Sequence, residues 1–306
     1  MNRLAWGLGG VTLLVICSGA LASAYALIPD GPAPWGSWLP TPHRWLEQPH
    51  YVVLHQTHRT LSYLAALWAI GLAIALWRRE PRRRIRWLGL LTAVAVAVSG
   101  ALGAWSVLGA CAAAGRIHAA MAPLLMALCI GIATVTSHRW LAKEPAKLSY
   151  RTMVLRRWCF GIVATGGLLA LTGVLVRHVP PTAGLTWMPF WAWAQVSFSI
   201  AGAVAAVGLL VVAVRHFGDC GTIVRRAWGV AALLAVQLAA AGGYWVAHYG
   251  WPPWFTDYVL SLPYTVVAYG PLQGVSTIIY IIAGTLLPAF GLDLTLWAYR
   301  DARLPQ

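Results

Sequence analysis

Long apolar stretches alternate along the chain with short polar segments. Eight of these stretches meet the requirement of a membrane-spanning helix, which needs about 20 mostly apolar residues because lipid cannot hydrogen-bond to an exposed backbone. Pro271 and Pro288 fall in the last span, where we expect a kink or a re-entrant start. The pattern predicts an all-α integral membrane protein with eight transmembrane helices. We place the spans at residues 5–28, 52–77, 87–108, 116–137, 158–177, 191–214, 227–247 and 266–298.

The composition excludes two classes of protein. Only 10% of the 306 residues are charged and 59% are hydrophobic, whereas a soluble domain carries about 25% charged residues. A water-soluble globule is therefore excluded. The 18 Trp, 11 Tyr and 6 Phe exclude a disordered chain as well, since disorder requires low hydrophobicity.

The net charge of +14 comes from basic residues that cluster between the spans. We attribute this charge to membrane topology and expect no nucleic-acid partner. Most of the basic residues fall on one side, which predicts that both termini are cytoplasmic in a multi-pass protein of the bacterial cytoplasmic membrane. These residues are Arg3; Arg78, Arg79, Arg82, Arg83, Arg84 and Arg86; Arg139, Lys143, Lys147, Arg151, Arg156 and Arg157; Arg215, Arg225 and Arg226; and Arg300 and Arg303.

The first span allows a second interpretation. Arg3, the apolar stretch after it and Ala22-Ser23-Ala24 also fit a signal peptide with its cleavage site. Cleavage would leave seven spans in the same orientation. We favour retention of the span, because the internal repeat described next needs it.

Spans one to four resemble spans five to eight. Three short motifs recur in the same order, and an even number of spans per repeat gives two four-helix units in the same orientation. We predict two pseudo-symmetric four-helix bundles, residues 1–140 and 158–306, joined by a cytoplasmic linker at 141–157. The paired motifs are Gln56-Thr57-His58-Arg59 with Gln195-Val196-Ser197-Phe198, Gly103-Ala104-Trp105 with Gly243-Tyr244-Trp245, and Arg116-Ile117-His118 with Pro271-Leu272-Gln273.

The two halves differ in their histidines. His58 and His118 lie at equivalent depths near the outer ends of spans two and four, whereas the second half has Ser197 and Gln273 at those places. Ionisable side chains inside a span are costly and usually face the bundle interior or a cofactor. Two imidazoles at one depth can supply both axial ligands of a haem iron, although each can instead hydrogen-bond across helices. We favour haem, with iron bound through both histidines.

Three further residues extend the candidate site. Arg59 and Arg116 stand beside the two histidines, where they can receive haem propionates. His55 lies on the same helical face as His58 and can carry protons or position a substrate, or be an ordinary interfacial histidine. The proline- and tryptophan-rich loop at 29–50 suits a lid over an outward-facing pocket, or an ordinary interfacial loop.

These features resemble the haem A synthase family. The likeness rests on the eight spans in two repeats, on His58-Arg59 and His118 opening their spans, and on the loop from Ile28-Pro29-Asp30-Gly31-Pro32 to Trp38-Leu39-Pro40. It implies an oxidoreductase acting on CH groups, which oxidises a methyl substituent of haem O to the formyl group of haem A for terminal oxidase assembly. It also implies that the first half holds the substrate haem and the second half a haem B.

The sequence departs from the family pattern in three places. The family motif before span two is Glu-x-x-His-Arg, and His55 stands in place of the glutamate, so catalysis by His55 is a hypothesis. Ser197 and Gln273 replace the histidines of the second half, which leaves a haem B there without its ligands. The first outer loop also lacks the cysteine pair that many bacterial members carry.

Three functions of different classes fit this sequence. The first is a haem A synthase-like enzyme, with haem O synthase and a terminal oxidase as expected partners and an electron donor of unknown kind. The second is a non-catalytic b-type haem protein that carries electrons, senses haem or assists oxidase assembly. The loss of the glutamate and of the second ligand pair favours this second function. The third is a transporter that kept the repeat and lost the redox role. All three have membrane lipid around them.

Overall fold

The computed structural model describes residues 1–25, 50–109, 111–142, 149–178, 187–251, 257 and 270–300. These residues form eight long helices and one short helix, and no strand occurs among them. The predicted all-α fold class is confirmed. Most of the expected lid, residues 29–49, lies outside the described part of the chain.

Eight of the nine helices have the length of a membrane span. The short exception, α5, follows α4 after a two-residue turn. The helices are α1 (Asn2–Tyr25), α2 (His50–Arg79), α3 (Arg83–Leu108), α4 (Ala112–Val135), α5 (His138–Leu141), α6 (Tyr150–Arg177), α7 (Trp187–Phe217), α8 (Gly221–Tyr249) and α9 (Pro271–Arg300).

The outer surfaces of the long helices are apolar. All eight are long and apolar enough to cross a membrane. Large apolar side chains point away from the protein, with Leu67 at 67% and Ile200 at 62% exposure. Such a surface would favour aggregation in water. It is expected in lipid, because acyl chains are as apolar as leucine.

Two helix starts refine the boundaries expected from the sequence. Helix α6 begins at Tyr150, inside the segment 141–157 that we predict as linker. The Ser149 hydroxyl accepts a hydrogen bond from the Thr152 backbone N–H, and the Thr152 hydroxyl accepts one from the Ser149 N–H, which is a capping box. Helix α9 begins at Pro271, a position where proline is favoured because the first N–H of a helix has no partner.

The long helices form two closed rings of four. In the first bundle, α1 and α3 each pack against both α2 and α4. Its core, at the end with the basic segments, includes Leu8, Leu72 and Ile132. In the second bundle, α6 and α8 each pack against both α7 and α9, around a core that includes Leu155 and Leu209.

The bundles meet along α4 and α9. Helix α9 packs against α1 and α4, and α4 also contacts α6. Met126 and Ile130 of α4 pack against Ala289 of α9 in a small buried cluster. The Thr134 hydroxyl donates a 2.6 Å hydrogen bond to Asp293, which links the same two helices near one end. Helix α4 therefore belongs both to the first bundle and to the contact with the second.

Candidate functional site

His58 is held from the neighbouring helix α1. Its Nδ1 lies 3.0 Å from the Val15 carbonyl oxygen and 3.3 Å from the Ser18 hydroxyl. Because a carbonyl oxygen can only accept, the short bond to Val15 requires the proton on Nδ1. A Cβ added at Gly19 would lie 2.9 Å from Cε1 of His58, so α1 approaches the ring closely only because residue 19 has no side chain.

His118 has the same setting on the other helix pair. Its Nδ1 lies 2.8 Å from the Ser99 carbonyl oxygen and 3.1 Å from the Ser99 hydroxyl, both on α3. A Cβ at Gly103 would lie 3.1 Å from Cε1 of the ring. Each histidine thus uses one nitrogen for a backbone carbonyl, meets one serine and packs against one glycine.

The two imidazole rings face each other across the bundle. Their centroids are 6.3 Å apart and their planes are 82° apart. A bond from a metal to an imidazole nitrogen is about 2 Å long, so two axial imidazoles on one iron have centroids roughly 6 Å apart. Ligand histidines usually donate the second ring N–H to a carbonyl or carboxylate, which leaves Nε2 for the metal. His58 and His118 therefore fit an iron porphyrin bound through both Nε2 atoms.

Unsatisfied polar atoms lie on the same helices as the histidines. The Oε1 atom of Gln56 and the Nε atom of Arg116 are buried and have no hydrogen-bond partner among the described residues. Gln56 is adjacent to His55 in α2, and Arg116 precedes His118 by two residues in α4. A buried donor without a partner costs free energy, so Arg116 has a hydrogen bond to offer to an anionic group such as a propionate.

Arg116 also connects the site to the second bundle. Burial lowers the pKa of His178, at the C-terminal end of α6, and the charges of Arg177 and Arg116 lower it further. The bond from Nδ1 of His178 to the Val174 carbonyl oxygen, 2.8 Å long, acts in the opposite direction. A charge at Arg116 is thus felt across the boundary between the bundles.

His55 and Arg59 lie on α2 on either side of His58. Both side chains are half-buried. His55 lies one helical turn before His58, and Arg59 is the residue that follows it. The structure thus brings His55, His58, Arg59 and His118 into one region of the first bundle.

The second bundle holds aromatic rings in its interior. Tyr244 and Tyr280 are 7% and 5% exposed, and their rings stack with centroids 5.3 Å apart. The ring of His248 stacks on the other side of Tyr244 at 4.0 Å, and its Nδ1 is bonded to the carbonyl oxygen of Tyr244. Gly173 of α6 lies directly against Tyr280, so a tyrosine packs on a glycine there as His58 packs on Gly19.

The residues that replace the expected ligands of the second half do not form a pair. Ser197 is exposed on the outer face of α7. Gln273 donates through Nε2 to the carbonyl oxygen of Ala247, 2.9 Å away. The polar residue of α7 that faces inward is Gln195, which accepts a hydrogen bond from the Thr172 hydroxyl of α6.

Four residues of the site were not singled out from the sequence as histidine partners. Ser99 and Gly103 are part of a small-residue stretch that by itself indicates close helix packing. Ser18 and Gly19 have no signal of their own in α1. Only the recurrence of Ser and Gly near positions opposite each histidine could have indicated them, and that requires knowing which helices are neighbours.

A comparison with known families matches only the N-terminal part of the chain. Residues 1–130 match the family model COX15-CtaA, described as a cytochrome oxidase assembly protein. No curated protein matches the chain. The matched residues contain α1, α2 and α3, most of α4, and both histidines. Residues 1–130, which contain α1 to α3 and most of α4, are therefore similar to the COX15-CtaA family of cytochrome oxidase assembly proteins.

Proposed function

We propose that this protein binds haem between His58 and His118 and acts in cytochrome oxidase assembly by converting haem O into haem A. The observation that supports the proposal most directly is the matched setting of the two imidazoles. Both use Nδ1 for a backbone carbonyl, and their centroids are 6.3 Å apart. The family match over residues 1–130 supports the link to oxidase assembly.

The protein's own side chains hold and orient the porphyrin. The Nε2 atoms of His58 and His118 would hold the iron, and the carbonyl oxygens of Val15 and Ser99 would keep the required tautomer by accepting from Nδ1. Arg59 and Arg116 bind the propionates as charge-assisted donors. Bound haem would supply iron redox chemistry, and the oxidation of its methyl substituent to a formyl group would require an oxygen source and an electron donor from outside the protein.

His55 carries protons to and from the reacting region. It is half-buried and lies one helical turn before His58, at the place where the family pattern has a glutamate. A neutral imidazole has one nitrogen that accepts a hydrogen bond and one N–H that donates, so His55 can take up a proton on one side and release one on the other. Replacement of His55 by alanine therefore removes conversion while haem binding is retained.

A non-catalytic b-type haem protein is the second candidate. It is favoured by the second bundle, where Ser197 is exposed and Gln273 is bonded to a carbonyl, so that neither offers a ligand to a second haem. Such a protein would bind protohaem in the first bundle and would serve oxidase assembly without changing the porphyrin.

Two measurements test these functions. A reduced-minus-oxidised visible spectrum of the purified protein is compared with those of His58→Ala and His118→Ala, and we expect a haem signal that both substitutions strongly reduce. The protein is then co-expressed with a haem O synthase in a host that lacks haem A, and the extracted pigment is identified. Haem A in the extract supports the enzyme, whereas protohaem alone supports the b-type protein. A colourless protein, or a spectrum indifferent to both substitutions, would contradict haem binding altogether.

A further inference from the structure

A large cavity opens between the two bundles at the end of the molecule that carries the basic segments, which we call the basic end. Its volume is about 580 Å³, within the range of about 300–1,000 Å³ typical of ligand sites. Helices α1, α4, α8 and α9 form its walls together with the short helix α5. On α4 it begins at Ala133, about 15 residues from His118 and thus roughly 22 Å along the helix axis. The cavity is separate from the haem site.

One charged pair in the cavity wall is already neutralised. Arg226 donates through Nε to Asp293 at 2.7 Å and lies over the ring of Trp297, 4.8 Å from its centroid. Thr134 donates to the other oxygen of Asp293 at 2.6 Å. This network joins α4, α8 and α9, and Asp293 is the only carboxylate among the described residues that line the cavity.

Two further guanidinium groups in the wall form no ion pair with any described residue. Arg139 and Arg225 line the same cavity, and neither forms a salt bridge within the described part of the chain. Arg225 makes one hydrogen bond, from Nε to the carbonyl oxygen of Gly221 at 3.1 Å, which leaves its terminal N–H groups available. The cavity therefore presents a net positive charge of about two, which favours an anion with several acceptor oxygens.

Apart from Asn2, Thr134 and Ser137, the rest of the wall is apolar, and part of it lies at the outer surface of the protein. Trp6 is 49% exposed and Phe290 is 38% exposed, and Leu233 lies beside them in the wall. Gly229 of α8 is exposed as well, and a Cβ built there meets nothing within 4 Å. A ligand in this cavity meets guanidinium groups at one end and aromatic and aliphatic surface along its length.

We propose that this cavity binds an anionic phospholipid from the leaflet at the basic end. The phosphate of the headgroup accepts hydrogen bonds from Arg139 and Arg225, and an acyl chain lies against Trp6 and Phe290. Basic pockets between transmembrane helices are a recognised setting for anionic lipid headgroups. A soluble phosphate would satisfy the two arginines but would leave the apolar wall in contact with water.

The test measures lipid binding to the full-length protein in detergent by native mass spectrometry. Dioleoylphosphatidylglycerol, dioleoylphosphatidylcholine and inorganic phosphate are titrated separately. We expect phosphatidylglycerol to bind most tightly. The double variant Arg139→Gln/Arg225→Gln should weaken its binding at least about tenfold, since charge-assisted hydrogen bonds are lost. The matched control is Arg83→Gln/Arg84→Gln, which removes two exposed charges at the same end outside the cavity.

A second pair of variants tests the acyl-chain part of the site. Gly229→Leu fills the cavity and leaves all its charges in place, whereas Gly71→Leu adds the same side chain on an exposed face of α2 with nothing within 4 Å. We expect only Gly229→Leu to weaken phosphatidylglycerol binding. The proposal is overturned if both arginine pairs have equal effects, which indicates surface charge alone. It is equally overturned if phosphate binds as well as the lipid, or if Gly229→Leu changes nothing.

Discussion

The imidazole of His118 depends on a glycine for its place. Gly103 and Gly100 both belong to α3, but a Cβ at Gly103 lies 3.1 Å from the ring while a Cβ at Gly100 meets nothing within 4 Å. The two glycines therefore form a matched pair in which only one contacts the proposed ligand. An enlarged side chain at position 103 must displace the ring or the helix.

We predict that Gly103→Leu lowers the haem content of the purified protein severalfold and that Gly100→Leu leaves it unchanged. Displacing a ligand by about 1 Å suffices to weaken a metal site, because its geometry is held by packing around it. Haem content is measured from the Soret absorbance per milligram of protein. Equal haem content in the two variants would contradict the conclusion that Gly103 is needed to position His118.

At the scale of elements, a hydrogen-bonded ion pair between Glu80 and Arg82 stabilises the short connection between α2 and α3. Glu80 accepts hydrogen bonds from Nε and Nη2 of Arg82 at 2.6 and 3.1 Å. The same guanidinium donates to the carbonyl oxygen of Val135 at 3.0 Å, at the end of α4. The hydrogen bonds from Arg82 hold the pKa of Glu80 below its ordinary value, with burial acting in the opposite direction.

Because the pKa of Glu80 is lowered in the folded protein, the stability that Glu80 contributes depends on pH. Ionised Glu80 stabilises the folded state above the ordinary pKa of a glutamate, and the contribution is lost as the pH falls through the lowered pKa. We predict that Glu80→Gln costs up to about 1 kcal/mol at pH 7, a small value because Arg82 is 35% exposed. Thermal unfolding in detergent at pH 7 and at about pH 3 measures this. The wild type and Glu80→Gln should differ less in unfolding midpoint at pH 3 than at pH 7. A difference between them that grows toward low pH would contradict the stabilising role of ionised Glu80.

The contact between the two bundles includes a partly buried charge network that spans three helices, in which Asp293 is buried and the Arg226 side chain is 33% exposed. Asp293 of α9 accepts from Arg226 of α8 at 2.7 Å and from Thr134 of α4 at 2.6 Å. Removing one member of a buried pair leaves an uncompensated charge, whereas removing both often costs much less.

We predict that Asp293→Ala destabilises the protein by roughly 2–4 kcal/mol and that Asp293→Ala/Arg226→Met recovers at least half of this loss. The unfolding midpoints of the single and double variants are compared in the same detergent. If the double variant is less stable than the single one, Arg226 stabilises the structure mainly through its contact with Trp297 and not through the ion pair.

For the molecule as a whole, we expect one haem per chain, because the proposed ligand pair lies in the first bundle and its counterparts in the second bundle do not meet. Ser197 lies on the exposed face of α7, so a histidine placed there points away from the bundle that contains Gln273. The interior between α7, α8 and α9 is occupied by the stacked rings of Tyr244 and Tyr280.

We predict that Ser197→His/Gln273→His does not raise the haem content above that of the wild type. The haem-to-protein ratio is measured by pyridine haemochrome, with His58→Ala in the same background as the control for the first site. A second haem in the double variant would contradict the outward orientation of Ser197.

Periodicity and composition were enough to predict the helices and the histidine pair. The eight apolar stretches have the length of a span, and the confirmed fold class follows from the backbone's need for internal hydrogen bonds in lipid. His58 and His118 stand out because ionisable residues are costly inside a span. These features are local along the chain, so they require no knowledge of which helices are neighbours.

Contacts between residues that are far apart in the chain were decided only by the packing of the helices. Val15 and His58 are 43 positions apart, and Thr134 and Asp293 are 159 apart. No sequence period relates such residues, because their meeting depends on the angles and register at which whole helices pack. The same packing turned Ser197 outward, placed the tyrosine stack inside the second bundle and opened the arginine-lined cavity at the basic end.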